Sequence, residues 1–141
     1  MNAFRILISA LCMMFLLSDT AFAQKKEHTP KASKYPGYDY VGPFYNGRAR
    51  VKKLNKWGYI DTTGNVVVPP KYNEVENFTD SIARVRLSGK HGSRWGLIDL
   101  NGTILIEPTF DGIGEFINGR APVLLDGKQQ YYINKQGVRV D

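Results

Sequence analysis

Trp57-Gly58-Tyr59-Ile60-Asp61-Thr62-Thr63-Gly64 and Trp95-Gly96-Leu97-Ile98-Asp99-Leu100-Asn101-Gly102 are two copies of one phrase. Gln130-Tyr131-Tyr132-Ile133-Asn134-Lys135-Gln136-Gly137 is a third, with Trp-Gly replaced. Each copy ends in Asx-x-x-Gly. A capping side chain at the first position and glycine at the fourth suit a type I turn entering a left-handed residue. The phrase therefore predicts a strand running into a tight turn, three times over.

A second phrase precedes each copy. Phe44-Tyr45-Asn46-Gly47-Arg48-Ala49-Arg50-Val51 returns as Phe78-Thr79-Asp80-Ser81-Ile82-Ala83-Arg84-Val85 and as Phe116-Ile117-Asn118-Gly119-Arg120-Ala121-Pro122-Val123. Phe44, Phe78 and Phe116 set steps of 34 and 38 residues, the longer step arising mainly in the loop Ser88 to Arg94. Asn46-Gly47 and Asn118-Gly119 tolerate the positive φ of a type I′ hairpin. Val66-Val67-Val68 and Ile104-Leu105-Ile106 are strand-forming runs expected to stop at proline, and Pro70-Lys71-Tyr72 matches Pro108-Thr109-Phe110. Helical periodicity is confined to the first residues. The expectation is an all-β domain of about three repeats, each with about three short antiparallel strands in a hairpin meander. The repeats would stack as a short open array or a small barrel-like sheet. Three repeats are too few for a propeller. Unpaired edge strands would allow self-association.

The unit F-x-N-G-x-A-x-V, then W-G-x-I-D-x-x-G, then P-x-Y/F resembles the bacterial WG (KWG) repeat. Lys56-Trp57-Gly58-Tyr59-Ile60-Asp61 is the closest match, and the resemblance covers roughly residues 40–141. It implies the repeat fold and no catalytic residue set. The third copy departs, with Gln130-Tyr131 for Trp-Gly and no P-x-Y/F segment, which suits a capping repeat.

The chain has 141 residues and a formal net charge of +6. Residues 1–23 read as a cleavable signal peptide, with Arg5 as the basic start, Ile6 to Leu17 as the apolar run and Ala21-Phe22-Ala23 as the cleavage site. The run is too short for a comfortable membrane span, and no later stretch could span. The expected address is the periplasm or the extracellular space. Cys12 lies in the signal, so the mature chain would contain no cysteine and no disulfide. Residues 24–38 hold four lysines, one glutamate and no apolar period, and read as a flexible basic tail. The repeat domain is then 39–141, with approximate repeats 40–77, 78–115 and 116–141.

No catalytic set, metal site or cofactor is expected. His28 and His91 do not form a ligand pair, and Asp61 and Asp99 read as turn caps. No G-x-S-x-G elbow frames a serine, and no glycine-rich loop opens a helix. Glu74 and Glu76 share a face but stand in no evident site. Recurring aromatics, Phe44, Trp57, Tyr72, Phe78, Trp95, Phe110 and Phe116, read as core. Tyr38, Tyr40, Tyr45, Tyr59, Tyr131 and Tyr132 do not recur in every copy and are the candidates for stacking on sugars.

The remaining signal is basic. Strand alternation sets Arg48, Arg50 and Lys52 opposite Ala49 and Val51, and Arg84 and Arg86 opposite Ala83 and Val85. With Arg120 they form a candidate binding patch, which Glu74, Glu76, Asp111 and Glu115 could instead neutralise. The expected function is a non-enzymatic exported module binding a protein partner. The alternative is an accessory protein binding an anionic envelope polymer or carbohydrate through a basic and aromatic face. Nucleic acid is not expected as a partner.

Overall fold

The computed structural model describes residues 34–140. The expected signal peptide, Cys12, His28 and most of the expected basic tail lie outside the described residues. Twelve strands follow, all antiparallel to their neighbours. They are β1 (Tyr40–Tyr45), β2 (Arg48–Lys53), β3 (Lys56–Asp61), β4 (Val66–Tyr72), β5 (Glu74–Val75), β6 (Ile82–Gly89), β7 (Gly92–Asp99), β8 (Ile104–Phe110), β9 (Gly112–Ile113), β10 (Arg120–Leu125), β11 (Lys128–Asn134) and β12 (Arg139–Val140).

The strands form three separate four-stranded meanders, β1–β4, β5–β8 and β9–β12. The fold is therefore all-β with about three repeats, as expected, and it forms an open array rather than a barrel. Each repeat has four strands, not three. The extra one is β1, β5 or β9, and two of these span only two residues. The sheets divide at Asn73 and Asp111, ahead of the phenylalanines that mark the sequence period.

Turn chemistry follows the residues. Asn46 and Gly47 adopt φ of 50° and 73°, and Asn118 and Gly119 adopt 51° and 79°, as a type I′ turn requires. Asp61, Asp99 and Asn134 each use Oδ1 to accept two backbone N–H bonds two and four residues ahead, at 2.8–3.0 Å. Bonds from Thr63, first among them that of its hydroxyl, hold the exposed Asp61 carboxyl below its ordinary pKa.

The run Val66-Val67-Val68 does not stop at proline. Strand β4 continues through Pro69-Pro70 to Tyr72, and β8 continues through Pro108. Both are edge strands, where a missing N–H costs no ladder bond. These strands also explain Trp-Gly. A Cβ on Gly58 would lie 2.8 Å from Pro69 C and Pro70 N, and one on Gly96 would lie 2.8 Å from Pro108 N. Only glycine lets β4 and β8 cross there. In the third repeat β12 pairs with Tyr132 and Ile133, and Tyr131 stands where the other repeats have glycine.

Each sheet has two faces. Alternation places Ala49, Val51 and Ile60 on the upstream face of the first sheet, and Trp57, Tyr59, Val68 and Arg50 on its downstream face. The downstream face packs on Val75, Phe78, Ala83, Val85 and Ile98 of the second sheet. The second sheet repeats the arrangement, setting Leu97, Trp95 and Ile106 against Ile113, Ala121, Val123 and Ile133 of the third. These faces are the core. The upstream face of the first sheet is covered by Tyr35 and Tyr38, which the sequence placed in a flexible tail. Tyr38 occupies the position of Tyr72 and Phe110, because Pro36-Gly37-Tyr38-Asp39 is another copy of the P-x-aromatic-Asx segment. Asp39, Asn73 and Asp111 close the motif, each accepting a bond from the backbone N–H of the β2–β3-type hairpin at residue 54, 88 or 126.

Candidate functional site between the second and third sheets

The cationic residues lie on the downstream faces, so stacking turns most of them toward the next repeat. Arg48 Nε donates to the Leu100 carbonyl at 2.8 Å, and Arg50 Nη1 donates to the Val75 carbonyl at 3.3 Å. Arg84 Nη1 donates to the Ile113 carbonyl at 2.8 Å, and its other nitrogens reach Glu76 at 2.5 Å and Glu115 at 2.7 Å. Burial works against the charge on Arg84, and the bonds to Glu115 and Glu76 outweigh it, raising its pKa. Arg86 pairs with Glu74 and lies over Trp95, while Lys52 lies over Trp57 and Arg120 over Tyr132. Three of the four acidic residues named from the sequence therefore meet these arginines, and the fourth, Asp111, pairs with Arg94. Arg50 and Arg84 are equivalent ties between successive sheets. The third copy carries Pro122 at that position.

The two inter-sheet interfaces differ at two equivalent positions. In the first, Tyr59 is fully buried, packs edge-on to Phe78 at 4.8 Å, and donates its hydroxyl to the Glu76 carbonyl at 2.6 Å. Burial pushes the Tyr59 phenol well above its ordinary pKa, with nearby Arg50 opposing. Arg48 fills the adjoining space, and Asn46 Nδ2 donates to the Phe78 carbonyl at 3.2 Å. In the second interface Leu97 stands for Tyr59, Ile82 for Arg48 and Asp80 for Asn46. Two smaller side chains leave space.

That space is a cleft of about 110 Å³ lined by Ile82, Ala83, Leu97 and Phe116, with Glu76, Asp80, Arg84, Glu115 and Lys135 among its polar residues. Lys135 pairs with Asp80, and both line the cleft. A shallower depression adjoins it at Ile82 and Lys135, extending to Asp99 and Leu105. Of its apolar lining Ile82, Ala83 and Leu97 are buried and Phe116 is partly buried, and charged groups converge on it, a build that suits recognition. Among the described residues no group of three or more His, Cys, Asp or Glu could hold a metal. No helix of the described residues is long and apolar enough to cross a membrane.

The sequence brought Arg84 into view as a candidate, read Phe116 as core and singled out neither Ile82 nor Leu97. The available signal was the difference between copies: positions that match are fixed by packing, and those that change size at an interface open or close it.

Three stacked antiparallel meanders joined by matched arginine ties define a β-repeat protein. A family described as WG containing repeat matches residues 35–57, 57–90 and 95–128, and the chain belongs to it. Comparison with curated proteins finds no match. Comparison with solved structures finds none.

Proposed function

We propose that the chain is an exported, non-enzymatic binding module, in which the repeats are the scaffold and the second inter-sheet cleft receives a protein partner. One observation carries this reading. The first interface holds Arg48 and Tyr59, whereas the second carries the smaller Ile82 and Leu97 at the equivalent positions, beside a cleft of about 110 Å³. A gap in a core costs stability, because its walls lose their packing partners. Retaining one between otherwise matched repeats is consistent with use. Export rests on the signal-peptide pattern of residues 1–23. Binding of an envelope polymer through the cations is less favoured, since Arg48, Arg50, Arg84 and Arg86 already have partners within the molecule.

Site-specific photocrosslinking in producing cells tests this. A photoreactive residue at Thr79, on the cleft, should give a discrete protein adduct. The same residue at Leu54, on a distant hairpin, should not. Equal adducts at both positions, or adducts with polysaccharide alone, would contradict the reading.

A further inference from the structure

We infer that the cleft between the second and third sheets takes a guanidinium group, a class of ligand that deepens the binding reading above and rests on it. The first interface supplies the template. There the matching space is occupied by the Arg48 side chain, whose Nε donates to the Leu100 carbonyl. Beside it, Asn46 Nδ2 donates to the Phe78 carbonyl. The equivalent carbonyls of the second interface belong to Lys135 and Phe116. The side chains facing them by equivalence are Ile82 and Asp80, and neither an alkyl group nor an ionised carboxylate can donate. A ligand entering this cleft is thus met by acceptors where the first interface meets them with its own N–H donors.

Charge points the same way. The lining carries three carboxylates, Glu76, Asp80 and Glu115, against two cations, Arg84 and Lys135. One negative charge is left over, and the Glu115 side chain is 79% exposed, so it is able to turn to a ligand while Arg84 keeps Glu76. The walls suit the rest of the group. Phe116 is partly buried and offers apolar surface beside the buried Ile82, Ala83 and Leu97, and its ring has Leu97 where Phe78 meets the Tyr59 ring. A planar, weakly hydrated cation with forked N–H donors matches an apolar slot edged by carboxylates better than a compact ammonium does. An arginine side chain of a partner and a free small guanidine share this chemistry.

The experiment is a titration of the isotope-labelled protein, read from its backbone amide signals. The probes are N-acetyl-arginine amide, its neutral citrulline counterpart and a short arginine-containing peptide. The arginine probe should shift the amides of Thr79, Ile82, Leu97 and Phe116 saturably, and citrulline should bind at least about tenfold more weakly. Glu115→Lys, at a side chain 79% exposed and in a variant that keeps native amide dispersion, should weaken the arginine probe by about tenfold. A peptide binding about tenfold tighter than the amide identifies a polypeptide source, and equal affinity a small guanidine. Citrulline binding as well as arginine, or no arginine-dependent shift at the cleft, would overturn the inference. If adducts at Thr79 persist in that case, the cleft reading stands and only the guanidinium assignment fails. If arginine binds but no protein adduct forms at Thr79, the assignment stands and the protein-partner reading fails.

Discussion

Arg84 of the second sheet donates a 2.8 Å hydrogen bond to the carbonyl of Ile113 in the third. Arg50 makes the same tie from the first sheet to Val75, one repeat earlier. A guanidinium is well suited to this position, since it reaches a backbone acceptor past its own strand while its stem packs in the interface. Replacing Arg84 with leucine should cost about 1.5–3 kcal/mol, the range for losing a hydrogen bond to a charged group. Much of that should come from the carbonyl bond, because Glu115 is exposed and Glu76 partly so, and exposed ion pairs are worth little. The urea midpoint of R84L against wild type measures it, and an unchanged midpoint would refute the tie.

Tyr59 offers a second test with a pH signature. Its folded-state pKa is raised by burial, so the neutral phenol is favoured in the native state. The resulting stability is complete below the unfolded pKa of about 10 and is lost as pH rises beyond it. Tyr59→Phe should lose about 1 kcal/mol at neutral pH through the missing bond to the Glu76 carbonyl. The same variant should show a shallower loss of stability above about pH 10, with the remainder from Tyr72, whose pKa burial also raises. Urea unfolding at neutral and alkaline pH reads both effects, and parallel curves for the two proteins would contradict the assignment.

Gly58 and Gly96 should be nearly irreplaceable. An alanine methyl at either meets the backbone of the crossing edge strand, which cannot yield as a side chain can. G58A should cost about 3 kcal/mol or more. Gly112→Ala is the control, because the nearest atom to its Cβ lies at 3.6 Å, an ordinary contact. It should change stability by about 0.5 kcal/mol or less. Thermal unfolding of the pair separates steric crossing from a general dislike of side chains in these strands.

Leu54 should be improvable. It is 82% exposed and holds a φ of 48°, a left-handed conformation that a branched aliphatic side chain adopts at a cost. Asp126 occupies the equivalent place in the third repeat. Leu54→Asn should stabilise the protein by about 1 kcal/mol while keeping the N–H bond to Asp39. A lower melting temperature for L54N would show that the hairpin relies on leucine in some other way.

Much of the fold is legible in the sequence because period, turns and strand alternation are local properties. Asn46-Gly47 states its turn, and Asp61 to Gly64 states another. Strands β5 and β9 are illegible, since two residues carry no period. The tie made by Arg50 is half legible. Alternation puts it opposite Ala49 and Val51, but says nothing of what covers that face, and in a stacked array the next sheet does. The role of Tyr38 is hidden because its copy of the motif precedes the first sheet, among the lysines and prolines of residues 24–38. The cleft lies furthest from sequence logic. Ile82 and Leu97 are unremarkable strand residues, and they acquire meaning only when set beside Arg48 and Tyr59 in a packed interface.

That comparison supplies the most direct test. The double variant Ile82→Arg, Leu97→Tyr installs in the second interface the residues that close the first. It should fold, and lose the photocrosslinked adduct at Thr79 along with at least about tenfold of the affinity for the partner so identified. A filled variant that keeps native amide dispersion and still binds that partner as tightly as wild type would contradict the cleft as the binding site.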